Sequence, residues 1–130
     1  MIYGIGVDTA AIARLEKSMA RPAFVQRVFG AQEQALLAGR GRHAAASAAA
    51  NFAAKEAFGK ALGTGIFTAF SLPEVQVLRR ENGAPYFAVS GQAAALLTEK
   101  GLTAHLSLTH ESGLATAFVI LEQKNEEEKP

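Results

Sequence analysis

The stretch from Ala44 to Leu62 constrains this chain most, because its composition leaves one good way to fold. It is dominated by alanine, holds no proline, and runs into Gly63-Thr64-Gly65. Alanine has the highest helix propensity of any residue. A glycine just past the last turn is the usual left-handed stop. Ser47, Ala50, Ala54, Ala57 and Ala61 recur at alternating steps of three and four, which places a stripe of small side chains along one side. Phe52, Glu56 and Lys60, each four apart, share another face. The spacing predicts one long helix with a side fit for close packing and a side that carries charge.

The segments around it fall into two halves. Ile2 to Asp8 mixes apolar residues with glycines and reads as a short strand. Thr9 is placed to cap a following helix, with Ile12, Leu15 and Met19 at helical spacing and Pro22 as its stop. Phe24, Val25, Val28 and Phe29 form a further apolar turn or helix closed by Gly30, and Ala31 to Ala38 is helix-prone. Beyond Gly65 the period changes. Glu74 to Arg80 and Tyr86 to Val89 read as strands joined at Asn82-Gly83, a strong hairpin signal. Ser90 is placed to cap a helix from Gln92 to Lys100, stopped by Gly101. Ala104 to Thr109 alternates, and Ser112-Gly113 turns the chain into a last strand from Leu114 to Leu121. Helices first and antiparallel strands second give an α+β domain, with helices packed on a small antiparallel sheet. Residues 1–122 form the expected domain, and residues 123–130 an acidic, disordered tail.

Charge and composition narrow the function. The net charge is only +1, so nothing global calls for nucleic acid. There is no cysteine, which removes disulfides and thiolate metal sites. No stretch approaches the ~20 apolar residues of a membrane helix, and the first residues lack the layout of a signal peptide. The expectation is a soluble cytoplasmic protein. Arg14, Lys17, Arg21, Arg27, Arg40 and Arg42 crowd the segment from Thr9 to His43, against only Glu16 and Glu33. That basic front fits either an acidic partner or a plain solvated helix surface.

A few residues carry candidate chemistry. Asp8, at the end of a glycine-containing strand, fits a cation site or merely the start of the next helix. Glu56 and Lys60 form either an ordinary surface pair or, beside a Gly-Thr-Gly loop, a phosphate site with a metal-binding carboxylate. The loop does not follow the Walker pattern, which disfavours a nucleoside triphosphatase. Magnesium prefers one or two carboxylates together with waters and substrate phosphates, and Asp8 with Glu56 meets that minimum. Thr109-His110-Glu111 stands at a strand end. No histidine pair has helical metal-ligand spacing, so zinc is disfavoured, and no serine elbow for acyl transfer is present.

Ile5-Gly6-Val7-Asp8, the run from Phe52 to Gly65, and Ser107-Leu108-Thr109-His110 resemble, in order and spacing, the signature blocks of the holo-acyl-carrier-protein synthases. The central block, Phe52-Ala53-Ala54-Lys55-Glu56-Ala57 followed by Lys60-Ala61-Leu62-Gly63-Thr64-Gly65, is the specific one. The resemblance covers Met1 to about Leu121. Asn51 departs from it, standing where the family usually has arginine. Membership implies the 4′-phosphopantetheinyl transferase fold and transfer of phosphopantetheine from coenzyme A to a serine of apo-acyl carrier protein. Adenosine 3′,5′-bisphosphate is released, and the product serves fatty acid synthesis. It further implies Mg2+ held by Asp8 and Glu56, with Lys60 on phosphate oxygens and Glu56, Asp8 or a metal-held water as the base. Lys60, Gly63, Thr64, Gly65, His110 and Arg42 are the implied coenzyme-binding set. Arg14, Lys17, Arg21 and Arg27 are implied to meet the acyl carrier protein. A homotrimer is implied, with His110 serving a neighbour's site. Two other classes stay open: a non-catalytic phosphate- or nucleotide-binding module, and a structural oligomer.

Overall fold

The computed structural model describes residues 1–63 and 69–124. Its elements are β1 (Ile2–Ala11), α1 (Ile12–Met19), α2 (Pro22–Val28), α3 (Ala31–Ala38), α4 (Ala44–Leu62), β2 (Val75–Arg79), β3 (Pro85–Val89), α5 (Gly91–Lys100), β4 (Leu102–Glu111) and β5 (Leu114–Gln123). Single 3-10 turns at Gly41–His43 and Leu72–Glu74 lead into α4 and β2. The strands form an antiparallel sheet in the order β1-β5-β4 and a separate hairpin, β2-β3. α4 lies along one face of the three-stranded sheet and is buried from Ser47 to Leu62, apart from Glu56 and Lys60.

Close approach of α4 to β1 depends on glycine in the strand. A Cβ on Gly6 would sit 1.9 Å from the Ala57 carbonyl oxygen, and one on Gly4 would sit 1.9 Å from that of Ala61. No side chain fits at either position, so the small-residue stripe of the helix meets a strand stripped of side chains on that face. In β5, Ala115, Ala117, Val119 and Leu121 cover the rest of the buried face. At the helix end Gly63 turns left-handed with φ 82°.

α4 and α3 have the bounds expected from the sequence, and several junctions differ. Thr9 is not a helix cap. β1 continues through it to Ala11, opposite Leu114, and its Oγ1 lies 3.0 Å from Thr116 Oγ1. Cross-strand pairing with β5 outweighs the local capping preference, and Ala11 occupies the N-cap position instead. Pro22 opens α2 at its first turn, where a missing N–H costs nothing, while α1 has already ended at Met19. Gly30 starts α3, and the Glu33 carboxylate accepts its N–H at 3.0 Å. Ser90 holds the N-cap position of α5 without a side-chain hydrogen bond; Glu74 Oε1 accepts the Ala93 N–H at 3.0 Å in its place. Gln123 is the last residue of β5 and donates its N–H to the Met1 carbonyl at 2.7 Å, so the ordered sheet includes the first residue assigned to the tail. Residues 125–130 lie outside the described part.

On the opposite face of the three-stranded sheet, β1 and β5 carry an open apolar patch beside the polar side chains of β4. Ile5 pairs with Ile120 and Val7 with Phe118 across the strands, and Ile5, Val7 and Phe118 are 54%, 52% and 41% exposed. Among the described residues, no helix is long and apolar enough to cross a membrane.

Candidate active site

Three charged side chains meet where the C-terminal half of α4 crosses the middle of β1. Lys60 Nζ donates to Asp8 Oδ1 at 2.9 Å and to the Val7 carbonyl at 3.1 Å. Asp8 is mostly covered, whereas Lys60 reaches out into solvent. Glu56, one helical turn before Lys60 and half-buried, faces the Asp8 carboxylate. Its carboxyl is pushed up to about 6, first by burial and then by the charge and proximity of Asp8. The charges of Arg14 and Lys60 pull the other way. Two carboxylates that repel each other, flanked by cations, describe a position where a further positive charge is favourable. Among the described residues no cluster of three or more histidine, aspartate or glutamate side chains is assembled. A pair is nonetheless what magnesium takes when waters and phosphates complete its shell.

Of the residues singled out in the sequence, Asp8, Glu56 and Lys60 come together, and Gly63 ends the same helix. Thr64 and Gly65 lie outside the described residues. His110 is elsewhere. It stands on β4, and Asp8 stands on β1, with β5 between them, so two strand spacings of about 4.8 Å separate the two strands. His110 lines a cleft of about 380 Å3 together with Arg40, His43, Ser47 and Arg79. Arg42 is outside that lining and borders a different groove, with Glu16 and Met19.

The basic front is split between two elements and a junction. Arg14 and Lys17 line a shallow groove on α1, Arg21 lies between α1 and α2, and Arg27 is in the last turn of α2. Arg14 also stacks its guanidinium 5.4 Å from the centre of the Phe52 ring, which sets it next to the acid pair. Arg21 sits similarly, 5.8 Å from the Phe24 ring centre. Glu33, counted among the acids of this front, is fully buried and faces inward.

A second polar assembly was not read from the sequence. Lys55 is fully buried and donates to Glu33 Oε1 at 2.6 Å, to the Val75 carbonyl at 2.6 Å and to the Leu72 carbonyl at 3.0 Å. Asn51 Nδ2 donates to Glu33 Oε2 at 3.1 Å and to the Val77 carbonyl at 3.0 Å, while its Oδ1 accepts from Arg79 Nη2 at 2.9 Å. The one available signal was spacing. Asn51 and Lys55 are four apart and share one face of the helix, away from Glu56 and Lys60, so the two polar side chains needed partners together.

Residues 4–119 match the family described as ACPS, the 4′-phosphopantetheinyl transferase superfamily. The chain is 45% identical over 128 residues to a holo-[acyl-carrier-protein] synthase of Ruthia magnifica, covering 96% of this chain and 100% of that one. Among solved structures, the holo-[acyl-carrier-protein] synthase of Neisseria meningitidis superposes with a TM-score of 0.86 at 33% identity, covering 95% of this chain and 100% of the other. That of Bacillus anthracis, solved in complex with coenzyme A (3′,5′-ADP), gives a TM-score of 0.81 at 33% identity over 95% and 99% of the two chains.

Proposed function

The chain belongs to the 4′-phosphopantetheinyl transferase superfamily, and from that premise we propose the reaction and the residues that carry it. The protein is a holo-acyl-carrier-protein synthase: it transfers the 4′-phosphopantetheine group of coenzyme A to a serine of apo-acyl carrier protein. In our reading it works in the cytoplasm and supplies fatty acid synthesis. The observation that carries the site assignment is the meeting of Asp8, Glu56 and Lys60 beside Gly63.

The serine oxygen forms a bond to the β-phosphorus of the coenzyme, and the bond from that phosphorus to the bridging oxygen breaks. Adenosine 3′,5′-bisphosphate leaves with the bridging oxygen. Such a transfer needs positioning and charge compensation more than covalent help from the protein. Asp8 and Glu56 would hold magnesium, and their mutual repulsion supports the fit. When bound, the metal neutralises pyrophosphate oxygens. Lys60, fixed by Asp8 and the Val7 carbonyl, presents its remaining donor capacity to phosphate oxygens. The serine proton passes to a carboxylate of this pair, Glu56 or Asp8, as the new bond forms. Arg14, Lys17, Arg21 and Arg27 meet the acidic surface of the carrier protein.

The assembly is a trimer in this reading, with His110 reaching a neighbour's site. Its support is the open apolar face around Ile5, Val7 and Phe118, and the strand that separates His110 from Asp8 in one chain. Incubation with apo-carrier protein, coenzyme A and magnesium, followed by intact mass, tests the reaction. The carrier should gain the mass of one phosphopantetheine, a chelator should abolish the gain, and added magnesium should restore it. Full transfer without divalent metal would remove the metal site. Light scattering that finds an active monomer would remove the shared site.

A further inference from the structure

The helix that carries Arg14 and Lys17 starts without a cap of its own. β1 runs straight into α1 at Ala11, which holds the N-cap position with no side-chain hydrogen bond, and the first turn of α1 contains no acidic residue. α1 is eight residues long, and a helix that short is marginal in water without outside support. Its first N–H finds that support in the turn between β4 and β5, where Ile12 donates to the Gly113 carbonyl at 2.9 Å. One residue earlier, Ala11 pairs with Leu114, the first residue of β5. The change from strand to helix is thus tied to the β4–β5 turn at two successive residues.

That turn is itself held in an unusual conformation. Glu111 and Leu114 face each other across the two strands, which leaves Ser112 and Gly113 as a two-residue loop. Both have positive φ, 53° and 80°, the pattern of a hairpin turn whose twist matches the flanking strands. Glycine adopts it freely, whereas Ser112 is the one non-glycine residue with positive φ among the described residues. A serine there is strained, and such strain persists where the surroundings impose it. Here the imposed geometry directs the Gly113 carbonyl at the start of α1. A Cβ on Gly113 would meet nothing within 4 Å, so this glycine answers a backbone requirement and not crowding.

We propose that the Ser112-Gly113 turn is the N-terminal cap of α1, and that Gly113 is a positioning residue for the carrier protein because it sets the helix that presents Arg14 and Lys17. The inference rests on the docking reading above, in which α1 meets the carrier. Arg14 lies in the first turn of α1, two residues beyond the capped N–H, and its guanidinium stands against the Phe52 ring of α4. Leu15 is buried and anchors the middle of the helix. Loss of the cap therefore loosens the first turn, where Arg14 sits, and leaves the core in place.

Gly113→Ala tests the turn, since it puts a side chain on a left-handed residue without creating a clash. Hydrogen exchange of the Ile12 amide, followed by NMR, should speed up by about fivefold. The KM for carrier protein should rise by about three- to fivefold, while that for coenzyme A stays within about twofold. Gly113→Asn, which tolerates positive φ, should bring both readings back towards wild type. An unchanged carrier KM, an equal rise for both substrates, or an asparagine variant no better than the alanine one overturns the proposal. The unaltered protein gives a reading free of any folding defect. Its Ile12 amide should exchange more slowly than those of Ala13 and Arg14, which follow it in the same turn, and equal exchange overturns the cap. Wild-type protein that transfers nothing to carrier protein instead defeats the reaction itself, and calorimetric binding of the carrier to the same variants still decides the positioning role.

Discussion

Lys55 and Glu56 are neighbours in the sequence and opposites in the structure. Lys55 is fully buried and each of its three protons has an oxygen partner: a carboxylate and two carbonyls. Desolvation lowers its pKa, while the Glu33 charge and hydrogen bond raise it. Glu56 is half-buried, faces another carboxylate and has its carboxyl raised to about 6. One residue has every demand met by oxygens inside the protein; the other shares a half-open space with a second carboxylate. A satisfied buried charge therefore marks architecture, and an unsatisfied half-exposed one marks chemistry. A similar contrast separates the enclosed Glu33–Lys55 pair from Arg79, which bonds Asn51 and lines an open cleft.

The comparison breaks most visibly at Lys55. Lys55→Met keeps the volume of the side chain but strands the Glu33 carboxylate in the core, and should cost about 3–5 kcal/mol. Urea unfolding measures it, and a loss below about 1 kcal/mol would mean that the pair holds little together. Next in size, Glu56→Gln should lower the transfer rate by about a hundredfold or more while circular dichroism stays that of the wild type. A near-normal rate would leave Glu56 an ordinary surface acid.

A smaller effect follows from the raised carboxyl of Glu56. Its ordinary value is 4.5 and its folded value about 6, so the folded protein holds the proton more tightly. The stability this contributes is present below pH 4.5 and is lost as pH rises through 6. At pH 7 without metal, the ionised group opposes folding. Glu56→Gln should then be more stable than wild type by on the order of 1 kcal/mol, discounted for the group's exposure. The difference should close towards pH 4.5. Paired thermal melts across this range check the sign, and a wild type that is the more stable of the two at pH 7 contradicts it.

The smallest effect concerns the exposed front. Arg14 lies close enough to act on Glu56, so reversing it disturbs two things at once. Lys17, a turn further along α1, separates them. Lys17→Glu should raise the KM for carrier protein several-fold at low salt, spare the KM for coenzyme A, and lose most of its effect as salt rises. Unchanged kinetics at low salt would return this surface to plain solvation.

What the sequence determined by itself was whatever local preference and short spacing decide. Composition and a glycine stop gave α4 its limits, and a four-residue step put Glu56 and Lys60 on one side of it. The order of the Asp8, Phe52–Gly65 and His110 blocks was enough to identify the family. Tertiary structure decided everything that depends on partners far along the chain. Thr9 became strand because β5 offered it Thr116, 107 residues away. Gly4 and Gly6 proved to be room for a helix, because Ala57 and Ala61 press against them. Glu33 turned from a surface acid into the buried partner of Lys55, and Arg79 reached Asn51 across 28 residues. Propensity acts through a residue's own backbone and nearest turns. Burial, charge pairing and desolvation act through space, where long-range contacts set whether a charged side chain is answered within the protein or left for a ligand.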